Sequence, residues 1–232
     1  MNHLHRDDEI KASWELNGSA WTTAVREHLI PSRRAGTDAA ILASCSRLKP
    51  DRVLDVGCGE GWLTRALSAT CREVVGIDAS SALLDEARSA SNAHYEVADY
   101  ETLLRDASRL PGPWDLIVCN YSLLGDPLAP LLAALGGRLS LTGRLFIQTV
   151  HPWTANGEGP YSDGWREETF ATFGPAFPAA MPWFYRTLAS WIAELQRAGL
   201  VIWALEEPPN PATGQPLSLL FECGVKSKAG SH

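Results

Sequence analysis

The sequence predicts a single α/β domain with a mostly parallel β-sheet, and three observations lead to this prediction. Near-continuous apolar runs such as residues 115–119 are typical of strands that are buried on both faces of a sheet. These runs alternate with segments whose apolar residues recur at helical spacing. The chain has 232 residues, of which 45% are hydrophobic and 20% charged, and this is enough for one domain with a substantial core.

Two helices are expected before the sheet begins. The first lies within residues 7–30, where apolar residues recur at helical spacing, and it ends near Pro31, because proline has no backbone N–H to continue a helix. The second lies within residues 37–48, with Thr37 as a candidate N-cap. Both helices therefore belong to an N-terminal segment that precedes the first strand.

Strands and helices then alternate through the rest of the chain. Strands are predicted at residues 52–56, 73–78, 94–98, 114–119 and 143–150. Helices between them are predicted at residues 61–70, 80–90 and 128–136. A helix at 185–198 and strands at 200–206 and 217–225 complete the predicted domain, and residues 226–232 are expected to fray.

The first strand runs into a glycine-rich turn, and the second strand ends in a carboxylate. Gly57, Gly59 and Gly61 lack a Cβ, so the backbone can turn sharply there and a ligand can approach it closely. The helix that follows is expected to point free N–H groups at the same place. Asp78 lies about 20 residues further on and can accept hydrogen bonds from both hydroxyls of a ribose. The order of these features predicts a site for a cofactor that contains a nucleoside.

The spacing of the turn distinguishes between two kinds of cofactor. Dinucleotide-binding turns require Gly-x-Gly-x-x-Gly/Ala, because the third small residue lets the helix pack on the strand. Here the third glycine comes one position early, and Trp62 stands where the small residue is needed. Asp55, beside the turn, would repel a pyrophosphate and attract a cationic amine. An NAD-dependent oxidoreductase is therefore disfavoured, and no set of residues suited to hydride transfer is apparent.

The pattern Asp55-x-Gly57-x-Gly59-x-Gly61 resembles motif I of the class I S-adenosylmethionine (SAM)-dependent methyltransferases. The later motifs of that family are matched in order by four further segments: 74–81, 95–100, 114–123 and 143–150. The resemblance covers about residues 50–150 and is closest in character to the small-molecule enzymes of the type 11/12 group. It implies a Rossmann-like seven-stranded sheet of order 3-2-1-4-5-7-6, with an antiparallel last strand, flanking helices, N-terminal helices and an insertion after strand 5.

The resemblance also implies SAM as cofactor, S-adenosylhomocysteine as product, and a set of binding residues. Asp78 would bind the ribose, Asp99 would lie near the adenine amino group, and Tyr100 would pack on or bond the ring. Arg34, or its neighbour Arg33, could pair with the methionine carboxylate or with an acidic substrate, and a solvated surface charge is an equally compatible alternative. The candidate cofactor-binding residues are Asp55, Gly57, Cys58, Gly59, Gly61, Asp78, Ala79, Asp99, Tyr100, Asn120, Tyr121 and Arg34.

Four segments of one domain are expected: a helical cap (1–50), the cofactor-binding core (51–150), a lid or insertion (151–183), and a helix and strands that complete the sheet (184–226). The insertion lacks sustained periodicity and is rich in aromatic residues, so it is unlike a disordered loop. It begins at the carboxyl edge of the sheet, where ligands of α/β proteins bind. We expect it to cover the cofactor and shape an acceptor pocket; the alternative is a flap that only packs on the core.

The candidate acceptor-binding residues share an aromatic or planar side chain that suits a cationic or flat molecule. They are Trp14, Trp21, Trp153, Trp165, Arg166, Trp183 and Tyr185. Core packing is the alternative for any one of these rings. His151, at the end of strand 5, is the candidate general base, with a hydrogen-bonding role toward the lid or cofactor as the alternative. The sequence after Asn120 lacks the Pro-Pro-Tyr/Phe continuation typical of enzymes that methylate nucleobase or protein amides.

Bulk properties narrow the class of partner. A formal net charge of −7 disfavours nucleic acid and favours a small neutral or cationic acceptor. No apolar run approaches about 18 residues, so no membrane span is expected. Five scattered cysteines without a Cys-x-x-Cys pair indicate neither a metal site nor a disulfide framework, and a cytoplasmic location is the prediction. The rival interpretation is a SAM-binding module without transferase activity, which would serve as a sensor or partner subunit.

Overall fold

The computed structural model describes residues 3–106, 110–173 and 177–226 of the chain. Strands in these ranges are β1 (Arg52–Val56), β2 (Glu73–Asp78), β3 (His94–Val97), β4 (Trp114–Asn120), β5 (Leu139–Val150), β6 (Gly164–Glu168), β7 (Met181–Tyr185), β8 (Leu200–Glu206) and β9 (Ser218–Val225). Helices in these ranges are α1 (His3–Arg26), α2 (Asp38–Leu48), α3 (Trp62–Ser68), α4 (Ser81–Ala90), α5 (Tyr100–Arg105), α6 (Ala129–Gly136), α7 (Pro152–Ala155) and α8 (Leu188–Arg197). None of these helices is long and apolar enough to cross a membrane.

Seven strands form one sheet in the order β3-β2-β1-β4-β5-β9-β8. The pairs from β3 to β5 are parallel, and β9 runs antiparallel to both β5 and β8. When the separate hairpin of β6 and β7 is set aside, this is the predicted order 3-2-1-4-5-7-6 with an antiparallel last strand. The predicted fold class is therefore confirmed.

Apolar residues cover both faces of the central strands, as the continuous apolar runs predicted. Neighbours in a strand point to opposite faces, and Val53 and Leu54 accordingly lie in two different hydrophobic clusters although both are fully buried. The Val53 cluster includes Ile41 of α2 and Leu63 of α3. The other cluster includes Trp191 of α8. Helices thus cover the sheet on both sides, and its edges are left to carry the functional groups.

Several predicted boundaries differ from the observed ones for local reasons. A π-helical turn at Arg33–Thr37, in which Gly36 has a φ of +153°, separates the end of the N-terminal loop from α2. Thr37 takes the N-cap position of α2 but makes no capping hydrogen bond. Ser80 does cap α4, accepting a bond of 3.2 Å from Leu83 N. Strand β5 starts at Leu139 rather than 143, because Leu139 pairs with Trp114 ahead of a register shift.

Two short helices, α5 and α7, had no counterpart in the prediction. Neither is long enough to show an apolar period, since α5 has six residues and α7 has four. The most definite signal for α5 is its N-cap, Asp99, whose Oδ1 accepts a 2.9 Å bond from Thr102 N. Most of the tail that was expected to fray lies outside the described residues.

The insertion after β5 consists of α7 and an antiparallel hairpin in which Gly164 pairs with Tyr185. The hairpin therefore extends two residues past the predicted boundary at 183. The helix that follows starts at Leu188 rather than 185, because Thr187 caps it by accepting a 3.2 Å bond from Ser190 N.

Polar contacts hold the insertion against the rest of the domain. Asn17 of α1 donates to the Ala179 carbonyl at 2.7 Å and accepts from Ala179 N at 3.1 Å. The Phe184 N–H donates to the Leu124 carbonyl at 2.8 Å, in the loop that follows β4. These contacts place the hairpin over the carboxyl edge of the parallel strands and against α1.

Helix α1 is attached to the start of α4 through Glu15. One oxygen of Glu15 accepts bonds from Ser81 N and Oγ, at 2.9 and 2.7 Å, and the other accepts from Ser80 Oγ and Ala82 N, both at 2.9 Å. Burial acts to raise the pKa of Glu15, but these hydrogen bonds outweigh it and lower the pKa. The side chain therefore stays ionised and fixes α1 beside the end of β2.

We expect Asn17→Ala to loosen the insertion without unfolding the domain. The change removes both bonds to the Ala179 backbone, which are worth about 1 kcal/mol each. Backbone amides of residues 177–185 should then exchange hydrogen roughly ten times faster or more. Ser19→Ala, on the exposed side of α1, is the matched control. Unchanged exchange in Asn17→Ala would show that other contacts hold the hairpin.

Candidate functional site

A cavity of about 540 Å³ opens at the carboxyl edge of the sheet. Its volume lies within the range of roughly 300–1,000 Å³ that is typical of small-molecule sites. The turn after β1 and the ends of β2 and β4 form one part of the wall. Residues of α1 and of the insertion form the other part. The cavity therefore lies where open α/β sheets bind ligands.

Two glycines of the turn after β1 occupy positions that no larger residue fits. Gly57 has a φ of +72°, and a Cβ there would lie 2.2 Å from the Cβ of Ser122. Gly61 has a φ of +82°, and its Cβ would lie 2.5 Å from Tyr95 Oη. The turn can therefore form only because these side chains are absent.

Three N–H groups of the turn are already bonded within the protein. Gly57 N and Cys58 N both donate to the Ile77 carbonyl, at 2.8 and 2.9 Å. Gly59 N donates to Asp78 Oδ2 at 2.8 Å. These three N–H groups are therefore not free for a ligand, whereas the free N–H groups that were expected belong to the helix that follows the turn. A turn with so few available donors suits a ligand without phosphate better than one with a pyrophosphate.

The Asp78 carboxylate bonds the backbone of the turn and also faces the cavity. Oδ2 accepts from Gly59 N and Oδ1 accepts from Ser80 N at 2.9 Å, while the residue also lines the cavity. A carboxylate has about four acceptor sites, so two remain for a ligand. Burial raises the pKa of Asp78, and its backbone hydrogen bonds oppose that shift. The arrangement suits a neutral donor pair such as two vicinal hydroxyls.

Asp55 was expected to attract a cationic amine, but it is not among the residues that line the cavity. It is buried behind the turn, where Thr64 Oγ1 donates to its Oδ2 at 2.7 Å. Burial raises the pKa of Asp55 to about 7, and the nearby Asp78 charge adds to the rise. Its position is that of a side chain that holds β1 to α3.

A different carboxylate of the turn, Glu60, does line the cavity. Its side chain is fully buried, and Oε2 pairs with Arg65 Nη2 at 2.7 Å and with Arg26 Nε at 3.4 Å. Oε1 has no hydrogen-bond partner in the described part of the chain. Sequence reasoning missed this residue, because the x positions of a glycine motif carry no signal of which way a side chain points.

Asp99 and Tyr100 line the cavity one strand further out. Thr102 donates to Asp99 Oδ1 through N and Oγ1, and Lys11 Nζ lies 3.3 Å from Oδ2. Burial acts to raise the pKa of Asp99, but the Thr102 and Lys11 contacts outweigh it and lower the pKa. The Tyr100 hydroxyl donates to the Ser122 carbonyl, and burial raises its pKa well above the ordinary value. Both residues are therefore fixed in position before any ligand binds.

Asn120 and Tyr121, at the end of β4, also line the cavity. Asn120 Oδ1 accepts from Gln148 Nε2 at 2.9 Å, so its amide NH₂ is left to face a ligand. Tyr121 has a φ of +56°, and burial raises the pKa of its hydroxyl to about 12. The left-handed backbone at this position turns the chain back toward the glycine turn.

Of the two neighbouring arginines, the structure places Arg33 rather than Arg34 at the cavity. Arg34 is exposed to solvent. The Arg33 guanidinium lies 4.6 Å from the ring centre of Trp62, which also lines the cavity, and its Nε bonds Asp38 at 2.9 Å. Sequence reasoning left both arginines open, and the π-helical turn decides which one faces inward.

The aromatic wall comes from α1 and the insertion. Trp14 and Trp21 of α1 lie seven residues apart on one helical face, and Trp183 and Tyr185 come from β7. Phe170 and Phe173 also line the cavity, although sequence reasoning did not select them. The aromatic residues of the insertion have no regular spacing, so the sequence does not indicate which of their rings face the cavity.

Three predicted acceptor-binding residues lie outside the cavity wall. Trp153 is 70% exposed, with Tyr161 at a centroid distance of 6.3 Å. Trp165 packs against Phe184 at 5.4 Å. Arg166 donates to the carbonyls of residues 155 and 156 and lies over the Tyr185 ring. These three residues build the insertion rather than the cavity.

His151 is buried at the start of α7 and is not among the cavity-lining residues. Its Nδ1 accepts a 3.3 Å bond from Trp153 N, and its Nε2 lies 2.8 Å from Glu207 Oε1. Because Nδ1 accepts, Nε2 carries the proton and donates to Glu207. Neither nitrogen is left to take a proton from an acceptor, so this geometry is that of a helix cap.

Most of the predicted cofactor residues come together at one surface. Those that line the cavity are Gly57, Cys58, Gly59, Asp78, Ala79, Asp99, Tyr100, Asn120 and Tyr121. Those that do not are Asp55, Gly61 and Arg34. Burial raises the pKa of the Cys58 thiol well above its ordinary value, so its side chain is a poor nucleophile.

Comparison with known proteins agrees with this geometry. Residues 53–136 match a methyltransferase domain family. Ubiquinone biosynthesis O-methyltransferase of Coxiella burnetii is 34% identical over 111 residues, which cover 45% of this chain and 45% of the relative. Its counterpart in Xylella fastidiosa is 36% identical over 107 residues, covering 43% and 42%. The chain thus matches less than half the length of these curated relatives.

Solved structures extend the likeness beyond the matched core. A complex of DhpI with S-adenosylhomocysteine superposes with a TM-score of 0.64 at 16% identity, covering 95% of this chain and 97% of the other. A SAM-dependent methyltransferase from Mesorhizobium loti gives a TM-score of 0.58 at 24% identity, covering 78% and 95%. At these identities the likeness concerns the fold. Residues 53–136 therefore resemble a methyltransferase domain, and the sheet has the fold of SAM-dependent methyltransferases of known structure.

The raised pKa of Asp55 predicts a distinct pH dependence of stability. With a folded pKa of about 7 and an ordinary value of 3.8, Asp55 favours folding below pH 3.8 and loses that contribution as the pH rises through 7. As the pH falls from 7 to 5, the free energy of unfolding of the wild type should therefore increase relative to that of Asp55→Asn. The expected increase is on the order of 1 kcal/mol per pH unit. Denaturant titrations at several pH values measure this difference. A pH-independent difference for Asp55→Asn would contradict the assignment.

Proposed function

We propose that this protein is an enzyme that transfers the methyl group of SAM to a small-molecule acceptor held beneath the insertion. The observation that carries the proposal is the convergence of four motif segments on one cavity in a methyltransferase domain: 57–59, 78–79, 99–100 and 120–121. The relatives named for ubiquinone biosynthesis support a small-molecule acceptor, and the concave cavity with aromatic wall residues supports an enzyme over a sensor with a flat binding surface.

The residues of the cavity suit the parts of SAM in order. The two remaining acceptor sites of Asp78 suit the ribose hydroxyls. Asp99 and Tyr100 suit the adenine, since one offers a carboxylate oxygen and the other a fixed ring. Arg33 suits the methionine carboxylate, because only its Nε is bonded to Asp38 and its terminal N–H groups are available in the described structure. Glu60 Oε1 suits the ammonium group of SAM. The amide of Asn120 suits the region around the sulfonium.

The chemistry asks little of the protein beyond position and exclusion of water. When bound, SAM supplies a methyl group that is already activated by its positively charged sulfur. In that transfer an acceptor lone pair would take the methyl group, and the electron pair of the carbon–sulfur bond would stay on sulfur. The aromatic wall holds the acceptor in line with that bond and keeps water out. His151 as a base stays an untested hypothesis that the capping geometry does not favour.

Calorimetric titration with SAM, S-adenosylhomocysteine and NAD tests the cofactor assignment directly. Micromolar binding of the two adenosyl-sulfur ligands without NAD binding is the expected result. NAD binding alone would overturn the proposal. Transfer of a radiolabelled methyl group into a fraction of small cellular metabolites then separates an enzyme from a binding module, which would bind SAM and transfer nothing.

Asp78→Ala should weaken S-adenosylhomocysteine and 5′-methylthioadenosine to a similar extent. Both ligands carry the ribose, and loss of two hydrogen bonds to a carboxylate costs about 3 kcal/mol or more, which is roughly 100-fold in affinity. Asp85→Ala, at an exposed aspartate of α4, should change neither affinity. Circular dichroism checks the fold, because Asp78 also holds Gly59 N. A folded variant that binds both ligands normally would remove the ribose assignment.

Arg33→Ala should discriminate between the same two ligands. S-adenosylhomocysteine has the methionine-derived carboxylate and 5′-methylthioadenosine lacks it. We expect about 10-fold or greater loss of affinity for the first and little change for the second, because one charge-assisted contact is removed. Arg34→Ala is the adjacent control and should bind both as the wild type does. Equal losses for both ligands in Arg33→Ala would indicate a general distortion of the turn instead.

A further inference from the structure

A carboxylate at the insertion side of the cavity has no cation to balance it. Glu168 ends β6, is half-buried and lines the cavity. Its Oε1 accepts a 2.6 Å bond from Phe170 N. In the described ranges of the chain, no basic side chain lies within ion-pair distance of Glu168. A half-buried carboxylate without a cation from the described residues has charge and acceptor capacity left for a cationic ligand.

The basic groups of the wall are, by contrast, balanced in charge by carboxylates of the protein, although the terminal N–H groups of Arg33 are left for the methionine carboxylate of SAM. Each of the three that line the cavity has a carboxylate within ion-pair distance: Lys11 with Asp99, Arg33 with Asp38 and Arg186 with Asp126. The buried Glu60 is likewise matched by Arg65 and Arg26. The charge surplus at the acceptor side is therefore negative, in a chain whose net charge is −7.

Three aromatic rings of the cavity wall stand nearly perpendicular to one another. Trp14 and Trp21 have ring centroids 5.1 Å apart at 76°, and Phe170 lies 5.7 and 6.4 Å from them at 62° and 66°. Edge-to-face rings present their electron-rich faces in different directions. Phe170 is buried and stacks on Phe177 at 4.5 Å, so the faces that a cation can reach are those of Trp14 and Trp21 that these contacts leave uncovered.

One strained turn holds the carboxylate and the aromatic corner together. Phe170 has a φ of +58°, a left-handed conformation that is uncommon for a bulky residue. The bond from Phe170 N to Glu168 spans this turn and stabilises it. Strain of this kind persists where the surrounding structure fixes it, and it is frequent at ligand sites.

We propose that the methyl acceptor is a small organic cation, an alkyl- or arylammonium, whose charge lies between the Glu168 carboxylate and the faces of Trp14 and Trp21. This inference rests on the proposed methyl transfer and names the class of its acceptor. The cation is the recognised group, and methylation takes place at whichever atom of the acceptor has a lone pair. An ammonium that is itself the target loses its proton to water before its nitrogen attacks the methyl carbon.

One buried basic group of the wall, Arg186, is a candidate to bind an anionic acceptor, but the carboxylates around it disfavour an anion. Arg186 is buried in the cavity wall, and its Nη1 has no hydrogen-bond partner among the described residues. Burial lowers the pKa of Arg186, while Asp126, Glu194 and Asp163 act on it as nearby negative charges. Three carboxylates around one guanidinium leave no excess positive charge for an anion.

The test uses three probes of one shape and different charge: choline, 3,3-dimethylbutan-1-ol and 3,3-dimethylbutanoate. Each is titrated into the full-length protein saturated with S-adenosylhomocysteine, and ligand-observed NMR detects binding down to millimolar affinity. We expect choline to bind about 10-fold more tightly than the neutral alcohol and the acid not to bind. Glu168→Gln should abolish this preference while its amide oxygen still accepts from Phe170 N. Trp14→Leu should weaken choline without affecting the bound nucleoside.

Glu167→Gln is the matched control, because Glu167 is exposed, adjacent in sequence and not part of the cavity wall. Equal binding of choline and the alcohol would overturn the inference, as would a choline preference that survives Glu168→Gln or is lost equally in Glu167→Gln. Saturation with S-adenosylhomocysteine is verified first by calorimetry. If that ligand fails to bind, the proposed function fails and this inference fails with it; if it binds and choline does not, only this inference fails.

Discussion

The hydrogen bond from the Gly59 N–H to the Asp78 carboxylate is the contact on which the cofactor half of the cavity depends. It joins the turn after β1 to the end of β2. Parallel pairing of the two strands places these segments next to each other but does not bond them. The Ile77 carbonyl strengthens the same junction by accepting from Gly57 and Cys58. A turn that is fixed by its own donors has few left for phosphate. The same bonding leaves Asp78 with acceptor capacity on its cavity side, so one local network explains both what the turn excludes and what it can bind.

The acceptor half of the cavity is held by a different kind of interaction. Helix α1 and the insertion meet the domain through side-chain hydrogen bonds, such as those of Glu15 to α4 and of Asn17 to Ala179, and through a small apolar cluster around Ala24 and Val25. The sheet rests on larger buried apolar clusters. Polar contacts can break and re-form with little net change in free energy, since water replaces them. Burial of apolar surface is harder to reverse.

Sequence patterns predicted the sheet and most of the cofactor wall because those features depend on local rules. Apolar runs identify buried strands, and Gly57 is required wherever Ser122 approaches so closely. The prediction failed where a side chain's direction depends on distant packing. Asp55 and Glu60 are five residues apart in one motif, yet only Glu60 faces the cavity. The choice between Arg33 and Arg34 depends on a π-helical turn that no periodicity reveals, and His151 became a helix cap because Glu207, 56 residues away, meets it.

The pairing of β5 with β9 continues to Val150 and Ser218, so the sheet is complete at the residue before the insertion begins. The insertion therefore interrupts no pairing between strands, and the backbone hydrogen bonds of the seven-stranded sheet do not depend on its sequence or length. Natural variation can rewrite this segment while the nucleoside-binding scaffold stays intact. A change of acceptor preference would then require replacement of one contiguous stretch together with a few positions on α1. In engineering, exchange of residues 151–185 between homologous folds is a compact route to altered selectivity.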